Sequence, residues 1–100
     1  MKEKHYFTYI ATNWPRKTVL YTGVTNNILN REKQHKTKLS KNSFTARYNI
    51  NRVVYYETFA DINNAIQREK QIKNLVRRKK IELIEKENSN WEAINDIAWQ

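Results

Sequence analysis

The chain has 100 residues, no cysteine and a formal net charge of +9. This length suits a single folded domain, residues 1–100, and the lack of cysteine excludes disulfides and thiolate metal sites. No apolar run is long enough to cross a membrane or to form a secretory signal, so we expect a cytoplasmic protein. Basic residues are concentrated in residues 31–47 and 67–80, whereas residues 81–100 are acidic. Such a confined basic surface is typical of a protein that binds nucleic acid, the alternative being a generic solvated surface.

The first part of the chain predicts a β-hairpin. Residues Tyr6 to Ala11 and Thr18 to Gly23 alternate in the manner of strands, and Thr12 to Lys17 contain the turn-forming Asn13 and Pro15. Because side chains of a strand alternate between faces, Tyr9 and Tyr21 can share one face of the hairpin. Two tyrosines on a face usually only pack, and they gain chemical interest if both hydroxyl groups reach one cavity with Arg31.

Gly23 is the only glycine in the chain. A domain that uses glycine once is expected to need it there. The reason is either a backbone angle that other residues resist or a close approach of another group to the backbone.

A helix is predicted after the hairpin, with Thr25-Asn26-Asn27 as capping residues and an end near Lys38. Arg31 and His35 lie on one face of this helix, which they share with Ile28. The Arg31 guanidinium suits bidentate contact with a phosphate, or alternatively a salt bridge to Glu69. His35 can act as a general base or orient one, although a lone histidine on a helix is more often structural.

The second half of the chain predicts one strand and further helices. Residues Arg52 to Glu57 form the strand, and Asp61 caps the next helix, whose apolar arc is Ile62, Ala65, Ile66, Ile72 and Val76. After a basic junction at Arg77 to Lys80, we expect a short helix over Ile81 to Lys86 and a capping box at Ser89 to Glu92 that begins a last helical turn.

Glu69 falls within the apolar arc of the helix that Asp61 caps. Burying an unpaired carboxylate is costly, so Glu69 should bind a cation. One interpretation is a Mg²⁺ or Mn²⁺ ligand, because such ions often use one or two protein carboxylates together with water and substrate phosphate. The other is an ion pair with Arg31 or Lys73.

These residues, taken in order, resemble the GIY-YIG nuclease superfamily. The resemblance is to the small stand-alone bacterial branch, which is similar to the N-terminal nuclease domain of the bacterial excinuclease. It is carried by Phe7-Thr8-Tyr9, by Tyr21-Thr22-Gly23, by the spacing onward to Arg31 and His35, by residues 65–73 around Glu69, and by Asn88 to Trp91. The chain departs from the family pattern at the first glycine of the name, which is absent, at Val24 in place of a common lysine and at Ile81 in place of a common asparagine, for which Asn74 is a nearby substitute.

The resemblance implies an α+β fold with a small central three-stranded antiparallel sheet flanked by helices. It also implies DNA phosphodiester hydrolysis that depends on Mg²⁺ or Mn²⁺. Carried over to this sequence, Glu69 holds the metal and Arg31 stabilises charge on the scissile phosphate. Tyr9 or Tyr21 positions or deprotonates the attacking water with the help of His35. If so, the side-chain tips of these residues should converge on one cleft, whereas Glu69 on the side of the sheet opposite to Tyr21 would contradict the nuclease hypothesis.

Three functions remain open from the sequence. The first is a structure-directed or weakly sequence-specific endonuclease of DNA repair or processing, acting on DNA that includes branched or damaged forms. The second is a nucleic-acid-binding module that keeps the fold with little or no catalysis, and the third is an RNA-binding protein. We expect a monomer or a weak homodimer, with substrate choice left to the basic surface or to a protein partner.

Overall fold

The computed structural model describes residues 5–31 and 48–94. Three strands, β1 (Tyr6–Thr12), β2 (Leu20–Thr25) and β3 (Arg52–Phe59), form one antiparallel sheet in the order β2-β1-β3. The helices are α1, which begins at Ile28 and is described for residues 28–31, α2 (Ile62–Lys73) and α3 (Arg77–Glu87). This architecture confirms the predicted α+β fold with a small three-stranded antiparallel sheet. Within the described residues, no helix combines the length and apolar character that a membrane crossing needs.

The central strand β1 is buried on both of its faces because a different apolar cluster covers each one. The first cluster surrounds Tyr9 and contains Ala11, Ile28, Ile50, Val53 and Ile94. The second surrounds Ile10 and contains Val54, Tyr55, Ile72, Ile84 and Trp91. The strict alternation of a β-strand thus sends neighbouring residues of β1 into two separate cores.

Side-chain caps begin both α1 and α2. Asn27 Oδ1 accepts a hydrogen bond from the Asn30 backbone N–H at 3.0 Å, and Asp61 Oδ1 accepts one from Asn63 at 2.7 Å. The Asp61 cap confirms the prediction for α2. The predicted continuation of α1 to Lys38 lies outside the described residues.

The predicted apolar arc of α2 is wrong for three of its five members. Ala65 and Ile72 are buried, whereas Ile62, Ile66 and Val76 are 38%, 37% and 63% exposed. Polar contacts fix the rotation of the helix, since Thr8 Oγ1 donates to the Ala65 carbonyl at 2.7 Å and Arg68 binds both carboxylate oxygens of Glu57 at 2.9 and 3.0 Å. The helix ends at Lys73, and Val76 is the N-terminal flanking residue of α3.

The basic residues that were predicted as a junction form the first turn of α3 instead. Arg77, the first residue of α3, connects the helix to the β1–β2 loop, because its guanidinium donates hydrogen bonds to the carbonyl oxygens of Lys17 and Thr18. These contacts hold the start of α3 against the beginning of the edge strand β2.

Contacts between cations and aromatic rings connect the hairpin loop with β3 and with the end of the described chain. Arg52 lies over the Trp14 ring at 4.3 Å from its centroid, and Lys17 lies over the Trp91 ring at 4.8 Å. Arg52 also donates to the Trp91 carbonyl at 2.9 Å. Trp14 is therefore partly buried and held by the body of the protein, which favours the packing role of this ring over an exposed stacking platform.

Asn88 organises the turn that follows α3. Its buried side-chain amide donates to the carbonyl oxygens of Val54 and Glu92 at 2.9 and 2.8 Å and accepts from the Glu92 N–H at 3.0 Å. The predicted capping box is wrong in its register, since Asn88 rather than Ser89 binds the Glu92 N–H.

Gly23 allows the Tyr9 ring to lie directly on the backbone of β2. The two residues are paired across the strands, and a Cβ added at Gly23 would lie 2.6 Å from the Tyr9 hydroxyl oxygen. Gly23 has no positive φ angle. Of the two reasons that the sequence leaves open, the structure therefore supports close approach.

We expect Asn88→Asp to lower the free energy of unfolding by about 2–4 kcal/mol, because it removes two buried donations and adds a buried charge. Urea denaturation measures this loss. Asn90→Asp, on the exposed part of the same turn, is the matched control and should change stability by less than about 0.5 kcal/mol. Equal losses in the two variants would contradict the role of Asn88.

We expect Gly23→Ala to cost about 1–3 kcal/mol of stability, because the new methyl group meets a ring that is buried and cannot swing away. The measurement is urea denaturation in the wild-type and Tyr9→Leu backgrounds. In the second background the ring is gone, so the alanine should cost much less. Additive costs of the two substitutions would show that Gly23 serves another purpose.

Candidate active site at the edge strand

Tyr9 lies at the centre of the site residues that the sequence predicts. It is 1% exposed, and its ring leans over Gly23 toward the edge strand β2. The ring centroids of Tyr9 and Tyr21 are 6.2 Å apart with an interplanar angle of 47°. The two tyrosines therefore share a sheet face, and Tyr21 is the more exposed of the pair.

Arg31 reaches Tyr9 from α1. Ile28 packs into the cluster around Tyr9, which holds the first turn of α1 against this face of the sheet. The Arg31 guanidinium makes a side-chain hydrogen bond with the Tyr9 hydroxyl group. Its Nε is buried without a hydrogen-bond partner among the described residues. A buried donor without a partner is costly, so this N–H group is available to an incoming oxyanion.

The Tyr9 phenol has a pKa that is raised well above its ordinary value. Burial is the largest cause, and the neighbouring Tyr21 and Glu69 raise it further, while the charge and hydrogen bond of Arg31 lower it. An ordinary phenol is already protonated at neutral pH, and burial outweighs Arg31 here, so Tyr9 remains protonated. It can donate a hydrogen bond there, but it is not a base in this state.

Glu69 approaches this site from the other side of the sheet. Its helix α2 packs through Ala65 and Ile72 on the face opposite to Tyr9. The Glu69 charge nevertheless acts on the Tyr9 phenol. The Tyr9 ring tip lies over the edge strand β2, which α2 also contacts, so the Glu69 charge acts on the phenol around this edge and not from the face that Tyr9 shares with Tyr21.

The Glu69 carboxylate already has a cationic neighbour. Lys73 Nζ lies 3.4 Å from Glu69 Oε2, and the side chains are 54% and 21% exposed respectively. The ion pair with Lys73 that the sequence offered as an alternative therefore exists. It is a partly exposed i,i+4 pair and is of the weak kind.

The donor groups at this edge suit a metal ion that keeps most of its own ligands. Among the described residues, no group of three His, Cys, Asp or Glu side chains could hold a metal. A zinc site needs three or four such ligands, whereas Mg²⁺ binds through one or two carboxylates together with water and phosphate. Glu69 fits the second arrangement.

The remaining predicted positions are divided between the core, the helix end and residues not described. His35 lies outside the described residues. Ile81 packs against the cluster around Ile10, and Asn74 ends α2 through its backbone N–H. Asn74 thus has a structural role that does not depend on its side chain.

The sequence reasoning missed a polar network that ties α2 to β3. Glu57 accepts from Arg68 and from the Tyr55 hydroxyl group. Burial and then Glu57 raise the pKa of Tyr55, and the hydrogen bond to Glu57 raises the pKa of Arg68. A sequence signal existed, since Tyr55 and Glu57 are two residues apart on one strand face, but the pairing with Arg68 is non-local.

Comparisons with known proteins agree with this architecture. A model of the GIY-YIG catalytic domain matches residues 5–82. The UPF0213 protein OB0043 of Oceanobacillus iheyensis is 36% identical over 89 residues, which cover 85% of this chain and 94% of that protein. The solution NMR structure of the UPF0213 protein BH0048 from Bacillus halodurans aligns over 96% of this chain and 99% of its own, with a TM-score of 0.54 and 24% identity, and supports the fold. The chain belongs to the GIY-YIG catalytic domain family, and its relatives there are UPF0213 proteins.

Proposed function

We propose that this protein is a divalent-metal-dependent endonuclease that hydrolyses DNA phosphodiester bonds with structural or weak sequence preference, in repair or processing of DNA. The observation that carries the proposal is the meeting of three elements at Tyr9. The ring of Tyr21 in β2 lies 6.2 Å from the Tyr9 ring, Arg31 of α1 hydrogen-bonds the Tyr9 phenol and keeps a buried Nε donor, and the charge of Glu69 in α2 raises the pKa of Tyr9. Family membership supports a nuclease and a nucleic-acid substrate in general terms.

Arg31 is the proposed ligand of the scissile phosphate. Its hydrogen bond to Tyr9 fixes the guanidinium, and the buried Nε donor is left for a phosphate oxygen. A donor held in place before the reaction stabilises the charge that develops on the phosphate in the transition state.

Glu69 is the proposed ligand of Mg²⁺ or Mn²⁺. Such an ion neutralises phosphate charge and assists departure of the leaving oxygen. The partly buried carboxylate lies within electrostatic range of Tyr9, so Glu69 and Arg31 bring opposite charges to the same hydroxyl group. With a divalent cation bound to Glu69, a phosphate between Glu69 and Arg31 would meet positive charge on either side.

Tyr21 is the tyrosine that we assign to the attacking water. Tyr9 is fully buried and protonated, whereas Tyr21 is partly exposed beside it. His35 would assist the proton transfer. The activity would belong to one domain of residues 1–100, acting in the cytoplasm as a monomer or weak homodimer.

The first test is nicking of supercoiled and branched DNA with Mg²⁺ or Mn²⁺ and with EDTA. We expect metal-dependent cleavage that Glu69→Gln reduces about 100-fold or more, because the metal loses its carboxylate. Glu82→Gln is the matched control, since Glu82 pairs with Arg78 and Lys79 on α3. DNA that is bound but uncut by the wild type would favour a binding module without catalysis, and full activity of Glu69→Gln would remove Glu69 from the site.

The second test separates the two tyrosines. We expect Tyr21→Phe to lower kcat about 100-fold with little change in DNA affinity, because it removes the hydroxyl group that orients water. Tyr9→Phe should instead weaken DNA binding and lower thermal stability, because it removes the hydrogen bond that fixes Arg31. Single-turnover cleavage and a DNA-binding titration measure both effects. The reverse order would assign the water to Tyr9.

A further inference from the structure

We propose that Lys73 is a built-in counter-ion of Glu69. When a divalent cation binds to the Glu69 carboxylate, Lys73 leaves that carboxylate and contacts a phosphate of the DNA instead. This inference rests on the proposed function, because it concerns the same carboxylate. It adds a residue with two positions, one for the free protein and one for the protein with metal and substrate.

The ion pair has the geometry of a contact that is easily exchanged. Lys73 Nζ lies 3.4 Å from Glu69 Oε2, one helical turn along α2. Lys73 is 54% exposed, so its ammonium group can return to solvent without loss of buried contacts. The Glu69 side chain is only 21% exposed, so it has less freedom to move than the Lys73 side chain.

The neighbouring cations with described contacts cannot substitute for Lys73 in this role. Arg68 is held by both carboxylate oxygens of Glu57, and Arg77 is held by the loop carbonyls of Lys17 and Thr18. Arg31 binds the Tyr9 hydroxyl group. Each of these side chains has directional hydrogen bonds that fix it, whereas Lys73 has a partly exposed ion pair.

Charge repulsion favours one position over the other. An ammonium group and a divalent cation held at contact distance from one carboxylate repel each other, and a single negative charge offsets only part of their positive charge. Arrival of the divalent cation therefore favours movement of Lys73 away from Glu69. A DNA phosphate that approaches the metal brings the negative charge that a freed lysine, as a flexible point charge, can bind.

Binding of Mn²⁺ to the protein without DNA tests the first half of the proposal. We expect Lys73→Met to tighten Mn²⁺ binding about three- to tenfold in calorimetry or electron paramagnetic resonance, because the competing charge is gone. Lys79→Met is the control and should leave the affinity unchanged, since Lys79 Nζ lies 3.6 Å from Glu82 in an exposed i,i+3 pair on α3, away from Glu69.

Two outcomes of this titration have different meanings. If Glu69→Gln abolishes Mn²⁺ binding and Lys73→Met leaves it unchanged, only the role of Lys73 is overturned. If Glu69→Gln does not weaken Mn²⁺ binding, the metal site is overturned as well, together with the part of the proposed function that depends on Glu69.

DNA binding in EDTA and in Ca²⁺ tests the second half. With Ca²⁺ present, Lys73→Met should weaken binding and reduce the slope of log K against log salt by about 0.9, the value for one phosphate contact. In EDTA the lysine is held by Glu69, so the same substitution should have little effect. In a Glu69→Gln background the lysine is free, and its removal should weaken binding without metal. If Lys73→Met weakens DNA binding equally with and without Ca²⁺, the proposed movement of Lys73 from Glu69 to a phosphate is overturned.

Discussion

The contact between the Tyr9 ring and the Gly23 backbone is the constraint on which the site depends. Any side chain at Gly23 would fill the space that the phenol occupies. Because the ring leans over the edge strand, its hydroxyl group lies away from the centre of the sheet, where Arg31 hydrogen-bonds it and the charge of Glu69 acts on it. A small sheet with helices on both faces thereby brings groups from opposite faces together, and the bare backbone of one residue makes this approach possible.

Burial determines the chemistry of this contact. Tyr9 is held in an apolar cluster, and the resulting desolvation raises its pKa despite the neighbouring guanidinium. The hydroxyl group therefore remains neutral, and Arg31 keeps its full positive charge for another anion. A tyrosinate at this position would have neutralised the arginine. The buried tyrosine thus acts as a support for Arg31, and the more exposed Tyr21 is left for water.

The sequence predicts the parts of the molecule that local patterns determine. Alternation identified the strands, Asp61 identified the start of α2, and the spacing of Tyr9, Tyr21 and Arg31 pointed to residues that the structure brings together. It failed where distant contacts decide. The exposure of Ile62 and Ile66 follows from the Arg68–Glu57 pair, and the buried amide of Asn88 binds a strand more than thirty residues earlier. Hydrophobic periodicity contains no information about such pairings.

Arg68 and Lys73, two of the three basic residues of α2, have different tasks because their partners differ. Arg68 is bidentate to a carboxylate that also accepts from Tyr55, so it fixes the rotation of the helix and with it the direction of Glu69. Lys73 has a partly exposed ion pair and can be exchanged. If Lys73 instead bound Glu57, the helix would be held loosely. If Arg68 instead bound Glu69, a tightly bound guanidinium would block the Glu69 carboxylate. The observed assignment keeps the carboxylate fixed in position and open to a second cation.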